Sequence, residues 1–168
     1  MGKDVEVAIL FADVVGSTQL YEQLGDAQAR QMVGRCLDIM REALKPDGLF
    51  FLDAFGGPDA SDITKEQTKI DGFTYVWEQA EFEPVTGRIL CHIHFKFPDG
   101  SKIKRAFTYD WRLWTLPELR ELLAEAGFSK TRVLWEGDDG DGGGNGEFTE
   151  HATGVADLAW IAYIVAEK

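Results

Sequence analysis

Apolar runs and helical spacing divide the first fifty residues into a strand, two helical stretches separated at Gly25 and Asp26, and a second strand. The segments 5–11 and 48–53 are almost continuously apolar, which is typical of buried strands. Between them, apolar residues recur every three or four positions, which predicts a helix with one apolar face. A strand–helix–strand unit of this length predicts two parallel strands joined by a right-handed crossover. The helix positions are Val33, Leu37, Met40 and Leu44.

Alternating apolar and polar residues mark a second region further along the chain. The alternation covers residues 73–82, 88–97 and 102–109, with turn residues between these segments. Period-two alternation interrupted by Gly and Pro turns predicts three antiparallel strands. Residues 56–71 before them are polar and begin with a Gly-Gly-Pro sequence, so we predict an irregular segment there.

The middle strand of this region carries two histidines on one face. His92, His94 and Lys96 alternate with apolar residues that point to the opposite face. We interpret the histidine face as a solvated polar surface of the sheet. A metal site is the alternative, and it requires a third ligand that converges on the two imidazoles. A role facing a substrate is also open.

The last third of the chain predicts a helix and two more strands. Thr115 is a suitable N-cap and Gly127 a suitable end for the helix. Residues 131–135 and 158–166 are apolar strands, and the acidic, Gly-rich segment 138–146 is interpreted as a flexible connection. We therefore predict an α/β fold. Its main sheet has the strand order 5–12, 48–53, 158–166 and 131–136.

Composition and charge narrow the possible partners. Of 168 residues, 45% are hydrophobic, which is typical of one globular domain with a good core. The net charge of −12 disfavours nucleic acids and anionic membranes as partners. Two cysteines are too few for a disulfide framework. Because no apolar leader or membrane-spanning run is present, we expect a cytoplasmic protein.

Near the N-terminus, an apolar strand ends in an aspartate and is followed by a small-residue turn. Residues 7–18 read VAILFADVVGST, and residues 5–42 as a whole resemble the strand and helix that open class III adenylate and guanylate cyclase catalytic domains. The resemblance implies that Asp13 binds Mg²⁺ or Mn²⁺ with ATP, beside the backbone of Val14. It also implies that the turn through Gly16, Ser17 and Thr18 lies along the nucleotide phosphates. The alternative is plain capping of a strand end and a helix.

The remainder of the chain resembles a different family. Four segments, 44–53, 114–128, 133–136 and 160–168, are similar in order and pattern to the C-terminal half of class I S-adenosylmethionine-dependent methyltransferases. The resemblance implies a partial Rossmann-like sheet of parallel strands with a closing antiparallel strand. It implies that the three strands predicted between residues 73 and 109 are an insertion on the substrate side. The expected cofactor is S-adenosylmethionine, and the expected substrate is a small molecule.

Ligands of open α/β sheets bind at the carboxyl ends of the strands, which directs attention to one loop. That loop contains Phe55, Gly56 and Gly57, which directly follow the predicted strand 48–53. With Tyr109 of the insertion, these are the predicted cofactor-binding or substrate-side residues. Most of the nearby aromatic residues are expected to form core or cross-strand pairs, and one or two to line a pocket. They are Tyr75, Trp77, Tyr109, Trp111 and Trp114.

Each of the two matching segments corresponds to only part of the catalytic domain of the family that it resembles. No predicted strand is followed by the Gly-rich loop that holds the methyltransferase cofactor. We therefore predict a methyltransferase-like domain that acts on a small molecule but is incomplete and inactive alone, in a chimera of segments 1–42 and 43–168. A metal–nucleotide-binding cyclase fragment and a non-catalytic chimera are the alternatives. The apolar strand 5–12 would form an exposed sheet edge, so we expect self-association through it.

Overall fold

The computed structural model describes residues 24–140 and 142–168, and this part of the chain forms a mixed α/β fold. It contains two helices, eight strands and one short 3₁₀ segment. In chain order these are α1 (Asp26–Ala43), β1 (Leu49–Gly56), the 3₁₀ segment (Pro58–Ser61), β2 (Thr64–Ile70), β3 (Phe73–Glu83), β4 (Arg88–Lys96), β5 (Lys102–Arg112), α2 (Leu116–Glu125), β6 (Lys130–Asp138), β7 (Gly144–Glu150) and β8 (Trp160–Glu167).

One sheet, here called the helix-backed sheet, has the strand order β1-β8-β6-β7. Strand β8 lies between β1 and β6 and is antiparallel to both. This is the order predicted for the three corresponding segments of the sequence. Every strand pair in the described part of the chain is antiparallel. The predicted parallel partner, residues 5–12, lies outside the described residues.

Both helices contribute apolar side chains to a core against this sheet. Leu122 and Leu123 of α2 and Ile164 of β8 are almost fully buried there, together with Leu37 of α1. The ends of α2 follow the sequence signals. Thr115 and Glu118 form a reciprocal capping box at its start. Gly127, just beyond its end, has the positive φ of 82° that glycine adopts without strain.

The second sheet, here called the aromatic sheet, has the order β2-β3-β4-β5. Its last three strands are those predicted, but it has four strands and not three. The irregular segment predicted before Phe73 contains β2, which pairs with β3 along its whole length. The pattern did not indicate this strand because β2 is a polar edge strand, with six exposed residues in succession from Lys65 to Ile70.

The predicted flexible connection also differs from the structure. Residues Gly144–Glu150 form β7 and pair with the end of β6, with Phe148 opposite Glu136. The ring of Phe148 lies 4.5 Å from that of Tyr163, so one aromatic contact anchors this hairpin to the sheet. A strand of mostly Gly and polar residues gives no apolar alternation, which explains why it was not predicted.

The proposed junction between segments 1–42 and 43–168 lies at the end of α1. This helix is continuous from Asp26 to Ala43, and Leu37 belongs to the common core. The division into two segments stays a prediction, and so does self-association through residues 5–12, which are not described. No helix in the described part of the chain is long and apolar enough to cross a membrane.

Candidate functional site

The candidate site lies where the carboxyl end of β1 meets the aromatic sheet. Phe55, the next-to-last residue of β1, is half-buried, and its ring centroid lies 6.1 Å from that of Trp111 in β5. This contact links the loop predicted from the sequence to the predicted insertion. The sequence predicted Phe55 and Gly56 in a loop after the strand, but both lie within β1 because its pairing with β8 continues to Gly56.

Close packing leaves no room for a side chain at the two glycines that follow Phe55. A Cβ atom on Gly56 would clash with the indole ring of Trp160, which lies opposite it in β8. A Cβ on Gly57 would clash with the backbone carbonyl of Leu158, and Gly57 has a φ of 103°, which other residues rarely adopt. Protein atoms therefore fill the space beside both glycines. Their predicted role in ligand binding stays a prediction.

A buried glutamine fixes the segment after these glycines against the aromatic sheet. Gln79 of β3 is only 7% exposed, and its side-chain amide donates to the carbonyl oxygens of Asp59, at 3.3 Å, and Asp62, at 2.5 Å. On the other side, the backbone N–H of Asp59 donates to the carbonyl of Leu158 at 2.9 Å. The 3₁₀ segment is thus tied to both sheets, and this fixes the position of the loop beside Phe55.

Three aromatic side chains form a cluster on one face of the sheet, and we call them the aromatic cluster: Trp77, Tyr109 and Trp111. The rings of Tyr109 and Trp111 are stacked with centroids 4.4 Å apart. Trp77 lies 6.4 Å from Tyr109 and 6.2 Å from Trp111. All three are partly exposed, so the cluster presents ring surface to solvent.

The residues of β3, β4 and β5 that the register pairs on this face all have uncharged side chains. Burial raises the pKa of Tyr75, and the neighbouring Tyr109 raises it further. Burial also raises the pKa of the Cys91 thiol to about 11. At neutral pH these groups are therefore protonated and uncharged. The face can stack against a planar molecule and donate hydrogen bonds from tyrosine hydroxyls, but Cys91 is not a thiolate nucleophile there.

The opposite, histidine-bearing face is not the solvated surface predicted from the sequence. His92 is only 3% exposed, and its Nδ1 lies 2.9 Å from the hydroxyl of Thr108. His94 lies 2.7 Å from the carboxylate of Glu78, which also accepts from Lys65. Cross-strand polar partners cover both imidazoles. No third ligand joins them, and no cluster suited to a metal ion occurs among the described residues.

The residues of the alternative nucleotide site lie outside the described part of the chain. They are Asp13, Val14, Gly16, Ser17 and Thr18. Binding of Mg²⁺ or Mn²⁺ with ATP through Asp13 therefore stays a prediction.

Sequence reasoning grouped Trp77 and Trp111 with other aromatic residues but did not place them at the site. Their odd-numbered positions, shared with Tyr75 and Tyr109, were the available signal, because residues two apart in a strand lie on one face. Trp114 has a different environment. It packs against the helix core and lies under the guanidinium of Arg112, 4.4 Å from the ring centroid.

Comparison with known proteins identifies similar folds. The structure is similar to the CcbJ methyltransferase from Streptomyces caelestis, at 14% identity and a TM-score of 0.52, over 83% of this chain and 51% of that one. It is also similar to an S-adenosylmethionine-dependent methyltransferase from Clostridium acetobutylicum ATCC 824, at 14% identity and a TM-score of 0.54, over 82% and 51%. In fold, the chain resembles S-adenosylmethionine-dependent methyltransferases. No family model and no curated protein matches the sequence.

At this identity the likeness concerns the fold alone, and the chain spans about half the length of these two enzymes. A nucleotide cofactor of this kind needs a Gly-rich loop between a strand and a helix, with an acidic residue for the ribose. Within residues 24–140 and 142–168, the glycines after β1 contact Trp160 and Leu158 instead.

Proposed function

We propose that this chain is a methyltransferase-like domain that binds a small-molecule methyl acceptor on its aromatic sheet. In this proposal the helix-backed sheet is part of a Rossmann-like sheet, and the aromatic sheet is its substrate-side insertion. The observation that carries the proposal is the contact between Phe55 and Trp111. It joins the carboxyl end of β1, where open α/β sheets bind ligands, to an uncharged aromatic face.

The chemistry of the face favours a planar, uncharged or cationic acceptor. Aromatic side chains supply large apolar surface, and stacked or edge contacts between rings add about 0.5–1.5 kcal/mol per pair. Trp111 and Trp77 would pack against one side of the acceptor, and Phe55 would contact the end of the acceptor that lies beside β1. The hydroxyls of Tyr75 and Tyr109 would orient it by hydrogen bonding. An acidic acceptor would find no cation on this face of β3, β4 and β5.

We further propose that the domain is inactive alone. Its support is the packing around Gly56 and Gly57, which leaves the loop after β1 without an open cradle. A second chain or a further segment would then have to supply the cofactor side.

Binding of neutral planar probes tests the acceptor proposal. Indole, quinoline and catechol are titrated separately, and saturation-transfer NMR of the probe measures the Kd. We expect Trp111→Leu, which keeps an apolar side chain but removes the indole, to weaken binding at least fivefold. Phe51→Leu is the matched control, because Phe51 is 58% exposed on the helix-backed sheet, away from the cluster. Equal binding to the Trp111→Leu variant and the wild type, or no binding to the wild type, would overturn the proposal.

A thermal melt with saturating S-adenosylmethionine tests the inactivity proposal. A ligand that binds only the native state must raise the melting midpoint by mass action. We expect the midpoint to stay unchanged. A clear rise would show that the chain builds a cofactor site by itself.

A further inference from the structure

Strand β5 contains a bulge that sets the positions of the aromatic cluster. Near the hairpin, Phe95 pairs with Ile103, but Ile93 pairs with Phe107. One residue of β4, His94, therefore lies opposite the three residues 104–106 of β5. The middle one, Arg105, has a φ of 51°, and it is the only non-glycine residue with positive φ in the described part of the chain.

Both nitrogens of the His94 ring have partners, and one of these partners lies in the bulge. The backbone N–H of Arg105 donates to Nδ1 at 3.0 Å. Nε2 lies 2.7 Å from the carboxylate of Glu78 in β3. The His94 side chain is only 12% exposed. A single imidazole of β4 thus connects the strained residue of β5 to β3, on the other side of β4.

The partners fix which nitrogen carries the proton. Glu78 also accepts from Lys65 at 2.8 Å, and this hydrogen bond, with the contact to His94, holds the pKa of Glu78 below its ordinary value. An ionised carboxylate only accepts, so Nε2 must donate to it. Since Arg105 donates to Nδ1, that nitrogen must be unprotonated. The neutral imidazole with its proton on Nε2 satisfies both contacts.

The bulge changes which residues form the aromatic face. If the register next to the hairpin continued, Ile93 would lie opposite Arg105, and Cys91 would lie opposite Phe107. Tyr109 and Trp111 would then be displaced by two residues, or about 7 Å, along the strand. A guanidinium would also lie on the uncharged face. With the bulge, Tyr109 lies opposite Cys91, and Arg105 has no partner residue in β4.

We propose that His94 is a positioning residue: it holds Arg105 in the left-handed conformation, and the resulting bulge places Tyr109 and Trp111 in the aromatic cluster. Its importance for substrate binding rests on the proposed function. The positioning itself is a property of the free chain. His92 on the same face has no such role, because it contacts Thr108 in the regular part of the ladder.

Near-UV circular dichroism of the free protein tests this proposal. The readout is the part of the spectrum that Trp111→Leu removes. We expect His94→Ala to lower this signal by more than half. In His94→Ala with Arg105→Gly the signal should return, since glycine adopts positive φ without the side-chain clash. Two control variants accompany these. His92→Gln should keep the signal. The double variant His94→Ala with Lys104→Gly, which places the glycine beside Arg105, should not restore it.

Full signal in folded His94→Ala would overturn the proposal, and so would failure of Arg105→Gly to restore it. If His94→Ala alone does not fold, the double variant decides. A folded double variant with the wild-type signal supports the proposal, and an unfolded one or one without the signal contradicts it. Because no ligand is present, the result does not depend on whether the planar probes bind.

Discussion

The two sheets of this chain bury their side chains in different ways. In the helix-backed sheet, Ile164 and Ala166 pack in a core with side chains of the two helices, and both residues are fully buried. The aromatic sheet is held across its strands by polar contacts, such as the two 2.9 Å hydrogen bonds from Arg88 to the carboxylate of Asp110. Ile89 and Cys91 on its apolar face are fully buried, but part of that face stays open, with Phe107 54% exposed. One sheet thus supplies the apolar core, and the other presents ring surface for a ligand.

The largest effect is expected from a cavity in the helix core. Leu123 of α2 has no exposed surface, so Leu123→Ala should lower the free energy of unfolding by roughly 2–5 kcal/mol. Denaturant unfolding followed by far-UV circular dichroism measures this. Leu158→Ala is the matched control, because Leu158 is 66% exposed and the same truncation should change stability by less than about 0.5 kcal/mol. Equal effects of the two variants would show that the core lies elsewhere.

A smaller effect is expected at the junction between the sheets. Gly57→Ala forces alanine into a φ of 103° and against the carbonyl of Leu158, so we expect a loss of about 3 kcal/mol. Gly72→Ala separates the two causes. Gly72 has a φ of 85°, but no atom lies within 4 Å of its added Cβ. Gly72→Ala should therefore lower the free energy of unfolding only through the unfavourable positive φ, by about 1–2 kcal/mol.

Thermal or denaturant unfolding of both glycine variants measures the difference. If Gly57→Ala costs no more than Gly72→Ala, the close approach of Leu158 is not required for stability. The junction would then be looser than the contact between the sheets suggests.

The sequence predicted elements that bury a face and missed those that do not. Apolar runs and periodicity indicated β1, β8 and α1, because one side of each packs against the core, and residues typical of helix ends indicated α2. It did not indicate β2 or β7, since polar edge strands are held by backbone hydrogen bonds that leave no pattern. The burial of His92 was also missed, because cross-strand polar partners cover it and alternation does not reveal them.

The same physical limit applies to the candidate site. Phe55 could be predicted from its position after an apolar strand, and Tyr109 from its place in the insertion. Their common neighbour, Trp111, could not be placed, because its position depends on the bulge at Arg105. The alternation of apolar and polar residues does not reveal a two-residue shift in register, because such a shift leaves the side chains on the same face of the sheet. Residues 13–18 are not described, so the structure leaves their prediction untested.

The smallest effect is expected from the buried polar face of the aromatic sheet. Burial lowers the pKa of His92, and nearby Arg105 lowers it further. The unfolded chain therefore binds a proton more readily than the folded chain does. His92 contributes stability that is present above the ordinary histidine pKa and is lost as pH falls through the depressed one. A pKa difference of one between the two states corresponds to about 1.4 kcal/mol.

We therefore expect the free energy of unfolding to fall between pH 7.5 and 5.5, a range that lies above the ordinary glutamate value of 4.5. Urea titrations at several pH values measure the slope. His92→Gln should flatten it, because the buried titrating group is gone. His151→Gln, the matched control, should leave it unchanged, since His151 is solvent-exposed. If both variants keep the wild-type slope, burial of His92 is not coupled to folding, and the polar face of the aromatic sheet opens to water more readily than its contacts imply.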